Sequence, residues 1–187
     1  EALAGTDAID QAMAEALYVG IMTDTGNFSF SNLTSDLFRA VAVLIDRGVN
    51  VPYVNSSVYD NFSEGRMRLL GYMLNDKMVT DYRYGVAYVS LTEEEMRRFN
   101  FIQGDSEGFV NYPLSIRGIR MSAMFIQTKH SIRVSLRSRG SDVDVNVFAR
   151  RYFDGGGHRN AAGGKSYVSM DETLKNFHTY LKEYFGA

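Results

Sequence analysis

The chain has no cysteine, which excludes disulfides, thiolate nucleophiles and cysteine-ligated zinc. That composition suits a reducing compartment, and a cytoplasmic location is the expectation. Charge of either sign is not in excess. Twenty Lys and Arg against 22 Asp and Glu leave −2, so bulk attraction to nucleic acid is not implied and any anion site must be local. No apolar run approaches the ~18 residues of a membrane span, so no membrane partner is expected. No basic-plus-apolar signal peptide opens the sequence. It starts abruptly at Glu1-Ala2-Leu3, within what reads as ordered chain, and a piece of a longer protein is the expectation. The 187 residues, 45% of them hydrophobic, allow one or two domains with an ordinary core.

The first part reads as helical. Apolar residues recur between Asp7 and Met22 at Ile9, Met13, Leu17 and Ile21, close to a 3.6 period. Thr34-Ser35-Asp36 is a cap signal ahead of Leu37, Phe38, Val41, Leu44 and Ile45. A short helix or turn spans Val51 to Tyr59, and Ser63 caps a helix with Met67, Leu70, Leu74 and Met78 facing inward. Near residue 78 the period changes. Met78–Tyr82 and Val86–Leu91 read as strands joined by a tight turn, and Thr92 opens an acidic helix start. Residues 100–115 read as irregular. Strands follow over 118–127 and 131–138, then a helix from Asp144 to Tyr152, an edge strand over 165–169, and a last helix opened by Asp171-Glu172.

Three clusters carry chemistry. Gly155-Gly156-Gly157-His158-Arg159-Asn160-Ala161-Ala162-Gly163-Gly164 combines backbone freedom with small side chains. Its amides can converge on an anion, with His158 and Arg159 adding phosphate contacts; a tight helix-to-strand connection is the competing reading. In Ser135-Leu136-Arg137-Ser138-Arg139-Gly140, alternation sends Ser135, Arg137 and Arg139 to one face, as a phosphate fork or as a solvated edge. The short helix between these clusters lets both meet at one sheet edge. Asp24, in Thr23-Asp24-Thr25-Gly26, is placed either to ligate a hard cation or to form an Asx turn or cap. An aspartic-protease reading of Asp-Thr-Gly fails, because it needs two such loops in an all-β fold and the flanks here read as helix.

The Ser-Leu-Arg-Ser strand followed by Gly-Gly-Gly-His-x-x-Ala-Ala-Gly resembles the signature of the DHH-associated C-terminal domain. Leu17 to Phe28, around Asp24, resembles the last metal motif of DHH phosphoesterases. Glu107-Gly108-Phe109-Val110-Asn111 between them is similar to the oligoribonuclease and pAp-phosphatase branch, which is exopolyphosphatase-related. The resemblance covers essentially the whole chain. It implies an α/β (mixed α+β) architecture. Residues 1–75 would be a helical remnant of the DHH domain plus a connecting helix, and residues 76–187 a substrate-binding domain with a mixed sheet. It implies a dinuclear manganese centre and a metal-activated water that attacks a phosphodiester or phosphomonoester. Asp24 would be a metal ligand. Arg137, Gly155, Gly156, Gly157 and His158 would hold substrate, with Ser135, Asn111 and Asn160 as further contacts. The family's earlier metal motifs are absent, and none of His130, His158 and His178 follows an aspartate. The chain alone is therefore expected to bind nucleotide phosphate without retaining manganese or hydrolysing it. Expected partners are short RNA or a nucleotide phosphate, with a homodimer left open. A non-catalytic nucleotide-binding module, a cyclic-dinucleotide phosphodiesterase and a RecJ-like exonuclease are the alternatives.

Overall fold

The computed structural model describes residues 8–29 and 33–186. Two compact units, Glu1–Phe62 and Ser63–Ala187, make up the chain. The expected helix start at Asp7 lies outside the described residues.

Among the described residues the first unit holds three α-helices: α1 (Gln11–Asp24), α2 (Ser35–Asp46) and α3 (Val51–Tyr59). Each begins where a side chain accepts from an otherwise unpaired amide. The Asp10 carboxylate takes the Met13 N–H at 2.8 Å, Thr34 Oγ1 the Leu37 N–H at 3.2 Å, and Asn50 Oδ1 the Tyr53 N–H at 3.2 Å. Ala14, Tyr18 and Met22 pack with Val41, Leu44, Val49 and Val54. The buried stripe of α1 is therefore one position later than the periodicity suggests, and Met13 and Leu17 stay 55% and 50% exposed. α1 is apolar on two sides, so a period alone cannot choose the packed one.

The second unit is built on one six-stranded sheet of order β1-β2-β3-β4-β6-β5. The strands are β1 (Val79–Asp81), β2 (Val86–Leu91), β3 (Met121–Gln127), β4 (Ile132–Ser138), β5 (Gly156–His158) and β6 (Ala161–Ser166). β2 and β3 are parallel and every other pair is antiparallel, so the sheet is mixed as expected. The β2–β3 crossover carries α5 (Glu93–Arg98) and a 3₁₀ helix, Phe109–Ser115, inside the stretch expected to be irregular. α4 (Glu64–Tyr72) runs through a π-helical turn, Met73–Lys77, into β1. This helix belongs to the second unit, ahead of the boundary expected after residue 75, because Leu69, Leu70 and Met73 pack on Val89, Leu91, Met124 and Ile126. Met67, expected inward, is 53% exposed; Arg66 is buried in its stead.

The two sheet faces are covered differently. On one, α6 (Val145–Tyr152) and α7 (Met170–Phe185) lay Phe148, Phe177 and Leu181 over Val86, Tyr88, Phe125, Val134, Leu136 and Ala162. On the other, α4, α5 and the 3₁₀ helix form a cluster that draws only on β2 and β3. Among the described residues no apolar cluster covers that face of β4 and β6. The 3₁₀ helix approaches β4, so this half-face is only partly open; it carries the candidate site.

Candidate functional site

β4 alternates strictly. Ile132, Val134, Leu136 and Ser138 are buried, while Arg133, Ser135 and Arg137 point to the open half-face. Register sets Arg137 opposite Ser122 on β3 and Ala161 on β6, and Ala161 opposite His158 on β5. Ser122, Arg137, Ala161 and His158 thus form one row across four strands. The next row is Met124, Ser135, Gly163 and Gly156. The residues beside the arginine on β6 are small, Ala161 and Gly163.

Arg137 is half-buried, and burial lowers its guanidinium pKa from the ordinary value. Its Nη1 donates to the neighbouring Leu136 carbonyl at 2.9 Å, and no carboxylate among the described residues pairs with it. A partly desolvated cation without a counter-ion favours an incoming anion. Ser122 is fully buried in the same row and its Oγ has no partner among the described residues. His158 is exposed at the end of β5.

The glycine segment is a hairpin. β5 and β6 pair antiparallel, β5 forms the sheet edge, and the strand expected over 165–169 instead spans Ala161–Ser166, inside that edge. Two of the three amides expected to face an anion are engaged within the chain. Gly155 N–H donates to the Ala149 carbonyl at 3.3 Å, and Gly157 N–H to Asn146 Oδ1 at 2.9 Å. What approaches the glycines closely is their own backbone. A Cβ at Gly155 would lie 2.0 Å from the Gly163 carbonyl oxygen, and one at Gly157, where φ is +153°, 2.5 Å from that of Ala161. At Gly156 the nearest atom would be 3.5 Å away, which is ordinary contact. The glycines therefore place His158, and the fold itself needs two of them.

The other expected contacts have distinct places. Asn160 Nδ2 donates to Ser138 Oγ and to the Gly140 carbonyl, both at 2.9 Å, so this amide stitches the β5–β6 turn to the loop after β4. Arg159 donates to the Ser141 carbonyl in that loop. Asn111 is exposed on the 3₁₀ helix, whose Phe109, Val110, Pro113 and Leu114 are buried. Ser135 lies one row from Arg137, half-buried. Asn146 carried no signal of its own in sequence, because a single asparagine in a helix is unremarkable until its acceptor is seen on Gly157. Arg66 was missed for a similar reason. Its guanidinium crosses 38 to 41 residues to the carbonyls of Gly104, Asp105 and Glu107, and lies 4.9 Å over the Phe109 ring.

Asp24 belongs to the first unit. It ends α1 and is exposed. Thr25, 2% exposed, donates its hydroxyl to the Ile21 carbonyl at 2.7 Å and accepts the Phe28 N–H at 3.1 Å. Gly26, Asn27 and Phe28 then all have φ between 55° and 60°. Three successive left-handed residues are strained for Asn and especially Phe. The Phe28 ring, 6.2 Å from that of Tyr18 and 5.7 Å from that of Phe38, offsets that strain. The turn holds the carboxylate outward at the negative end of a helix, where a cation is favoured. A carboxylate oxygen suits a hard metal ion, but one is not a site. Among the described residues no three His, Cys, Asp or Glu side chains gather to hold a metal. These residues do not build a dinuclear centre.

These features describe a mixed α/β sheet domain with a half-buried arginine and an exposed histidine on the same sheet face. Residues 81–187 match the DHHA1 domain, and the chain belongs to the DHHA1 family. It is similar to the bifunctional oligoribonuclease and PAP phosphatase NrnA of Bacillus subtilis, 29% identical over 176 residues that make up 91% of this chain and 53% of that protein. The probable counterpart in Streptococcus mutans is 30% identical over 84% of this chain and 49% of its own. The crystal structure of an exopolyphosphatase-related protein from Bacteroides fragilis superposes with a TM-score of 0.92 and 38% identity, over 97% of this chain and 53% of that one. The chain thus spans about half the length of these relatives. Among the described residues no helix is long and apolar enough to cross a membrane.

Proposed function

We propose that this chain is the substrate-gripping part of a phosphoesterase acting on short oligoribonucleotides or on pAp. The observation that carries the reading is the row Ser122–Arg137–Ala161–His158, in which a half-buried arginine, with no carboxylate partner among the described residues, shares a sheet face with an exposed histidine two strands away, with Ala161 between them. The names of the relatives supply the substrate class. Arg137 offers a planar fork of donors that matches phosphate oxygens. His158 donates to the same phosphate from the hairpin tip in either protonation state. The small residues on β6, Ala161 and Gly163, let a ribose or base approach the strand.

In the complete enzyme the cofactor would be a pair of manganese ions, which would activate the attacking water. Asp24 is the residue of this chain proposed as a ligand. Arg137 and His158 bind and orient, and no proton transfer is assigned to either. The protein would act in the cytoplasm on soluble substrates.

The test is calorimetric titration of the chain with pAp. Wild type is expected to bind, with Arg137→Ala and His158→Ala each weakening binding roughly ten- to a hundred-fold. If both variants bind like wild type, the half-face is not the phosphate site.

A further inference from the structure

A cleft of about 490 Å³ opens at the far end of β4 from His158, between α5, the segment after it and the β3–β4 hairpin. Its walls include Met96, Arg97, Phe101, Ile126, Gln127 and Arg133. The register ties it to the phosphate site. Arg133 shares a row with Ile126 and Lys165, on the same face of β4 as Arg137 and two rows away. Four strand residues cover ~13 Å.

We infer that this cleft is a second nucleotide subsite, which holds a base and phosphate of a single-stranded RNA whose terminal phosphate sits at Arg137. The inference rests on the reading of that arginine given above. At ~3.4 Å per nucleotide in a stacked strand, ~13 Å is about four nucleotides, and fewer where bases unstack. An oligonucleotide reaches the cleft and pAp does not.

The chemistry of the lining fits that occupant. Phe101 is half-buried, with Met96 and Ile126 behind it, and gives a base an apolar surface to lie on. Arg97 and Arg133 are exposed, and set cations beside that surface for the phosphate. Glu93, also in the wall, gives its backbone N–H to Gln127 Oε1 at 3.3 Å, which leaves the Gln127 amide nitrogen free to donate to a base edge.

The cleft is also built in advance. Buried Arg66 ties down the Gly104, Asp105 and Glu107 carbonyls from below, Asp105 Oδ2 accepts the Ile102 N–H at 3.0 Å, and Arg133 Nη2 donates to Ser106 Oγ at 2.9 Å. A wall fixed without ligand spares binding the cost of ordering it. This gives the buried arginine a purpose that the phosphate site leaves unexplained.

The experiment is fluorescence anisotropy of the chain with end-labelled penta-adenylate, with pAp affinity measured in parallel by calorimetry. Phe101→Ala and Arg97→Gln are each expected to weaken the pentamer about tenfold and leave pAp unchanged, while Arg137→Ala weakens both. Phe101→Leu keeps apolar volume and removes the ring, and Arg97 is exposed, so a loss shared by Phe101→Leu and Arg97→Gln is not a folding defect. If these variants bind the pentamer like wild type while Arg137→Ala weakens both ligands, the cleft is not a subsite and the phosphate reading stands. Equal losses for pAp and pentamer also overturn the inference. If Arg137→Ala changes neither ligand, both readings fall.

Discussion

Arg137→Met separates a binding arginine from a structural one. The arginine is half-buried, its pKa is lowered by burial, and its one hydrogen bond among the described residues goes to the carbonyl of the preceding residue. Folding therefore bears the cost of partly desolvating a charge without a salt bridge in return. Methionine keeps the apolar stem and removes the charge. In a chain of this size 1 kcal/mol moves the unfolding midpoint by about 2–4 °C. We expect Arg137→Met to leave the midpoint within about 4 °C of wild type or to raise it. Phosphate affinity should fall because a charge-assisted contact is lost, about 1.5–3 kcal/mol or ten- to a hundred-fold in Kd. Arg137→Lys keeps a cation without the fork and should fall between. The assays are calorimetric titration with pAp and thermal unfolding by circular dichroism. A midpoint lowered by more than about 8 °C would make the arginine structural, and an unchanged Kd would remove it from the site.

Gly155→Ala should destabilise the chain by about 1–3 kcal/mol by forcing β5 from β6, whereas Gly156→Ala should fold normally, as read by denaturant unfolding; equal behaviour would refute the hairpin geometry. Glu95 is pushed up by desolvation, but Lys77 at 2.6 Å, Tyr72 at 2.7 Å and Thr92 outweigh this and hold its pKa at about 2. Its folded pKa is depressed from 4.5, so its contribution is complete above that value and is lost as pH falls toward 2. Glu95→Gln should therefore lower stability near neutrality and flatten the stability–pH curve below pH 4.5. Asp24→Asn should leave the unfolding midpoint unchanged or slightly higher, because a carboxylate is unfavourable at a helix C-terminus. In the phosphoesterase proposed above, the same change would abolish hydrolysis and reduce bound manganese, measured by metal analysis; retained turnover would refute the ligand role.

The elements whose signals are local were legible in the sequence. β2, β3, β4, α5 and α6 fall where alternation, helical period and cap residues put them, since Thr92 and Asp144 announce helix starts, while α7 starts at Met170 with Ser169 as its cap, just ahead of the expected Asp171. β5 was not legible. A run of glycines has low strand propensity and reads as a loop, and only the Gly163 and Ala161 carbonyls across the hairpin explain why Gly155 and Gly157 tolerate no Cβ. The packed sides of α1 and α4 were ambiguous because apolar residues line more than one face of each. In the site, Arg137 and His158 stood out by type and motif, and the register brings them into one row. Asn160 shared the motif yet serves the turn, and Asn146 and Arg66 act through contacts that depend on the tertiary fold.

The central claim is that Arg137 and His158 grip one phosphate on the open half-face of the sheet. A crystal structure of the chain with pAp tests it most directly. The account predicts a phosphate with oxygens about 2.7–3.2 Å from the Arg137 guanidinium and the His158 ring, above Ala161 and Gly163. A phosphate bound elsewhere, with the Arg137 guanidinium still resting on the Leu136 carbonyl, would contradict it.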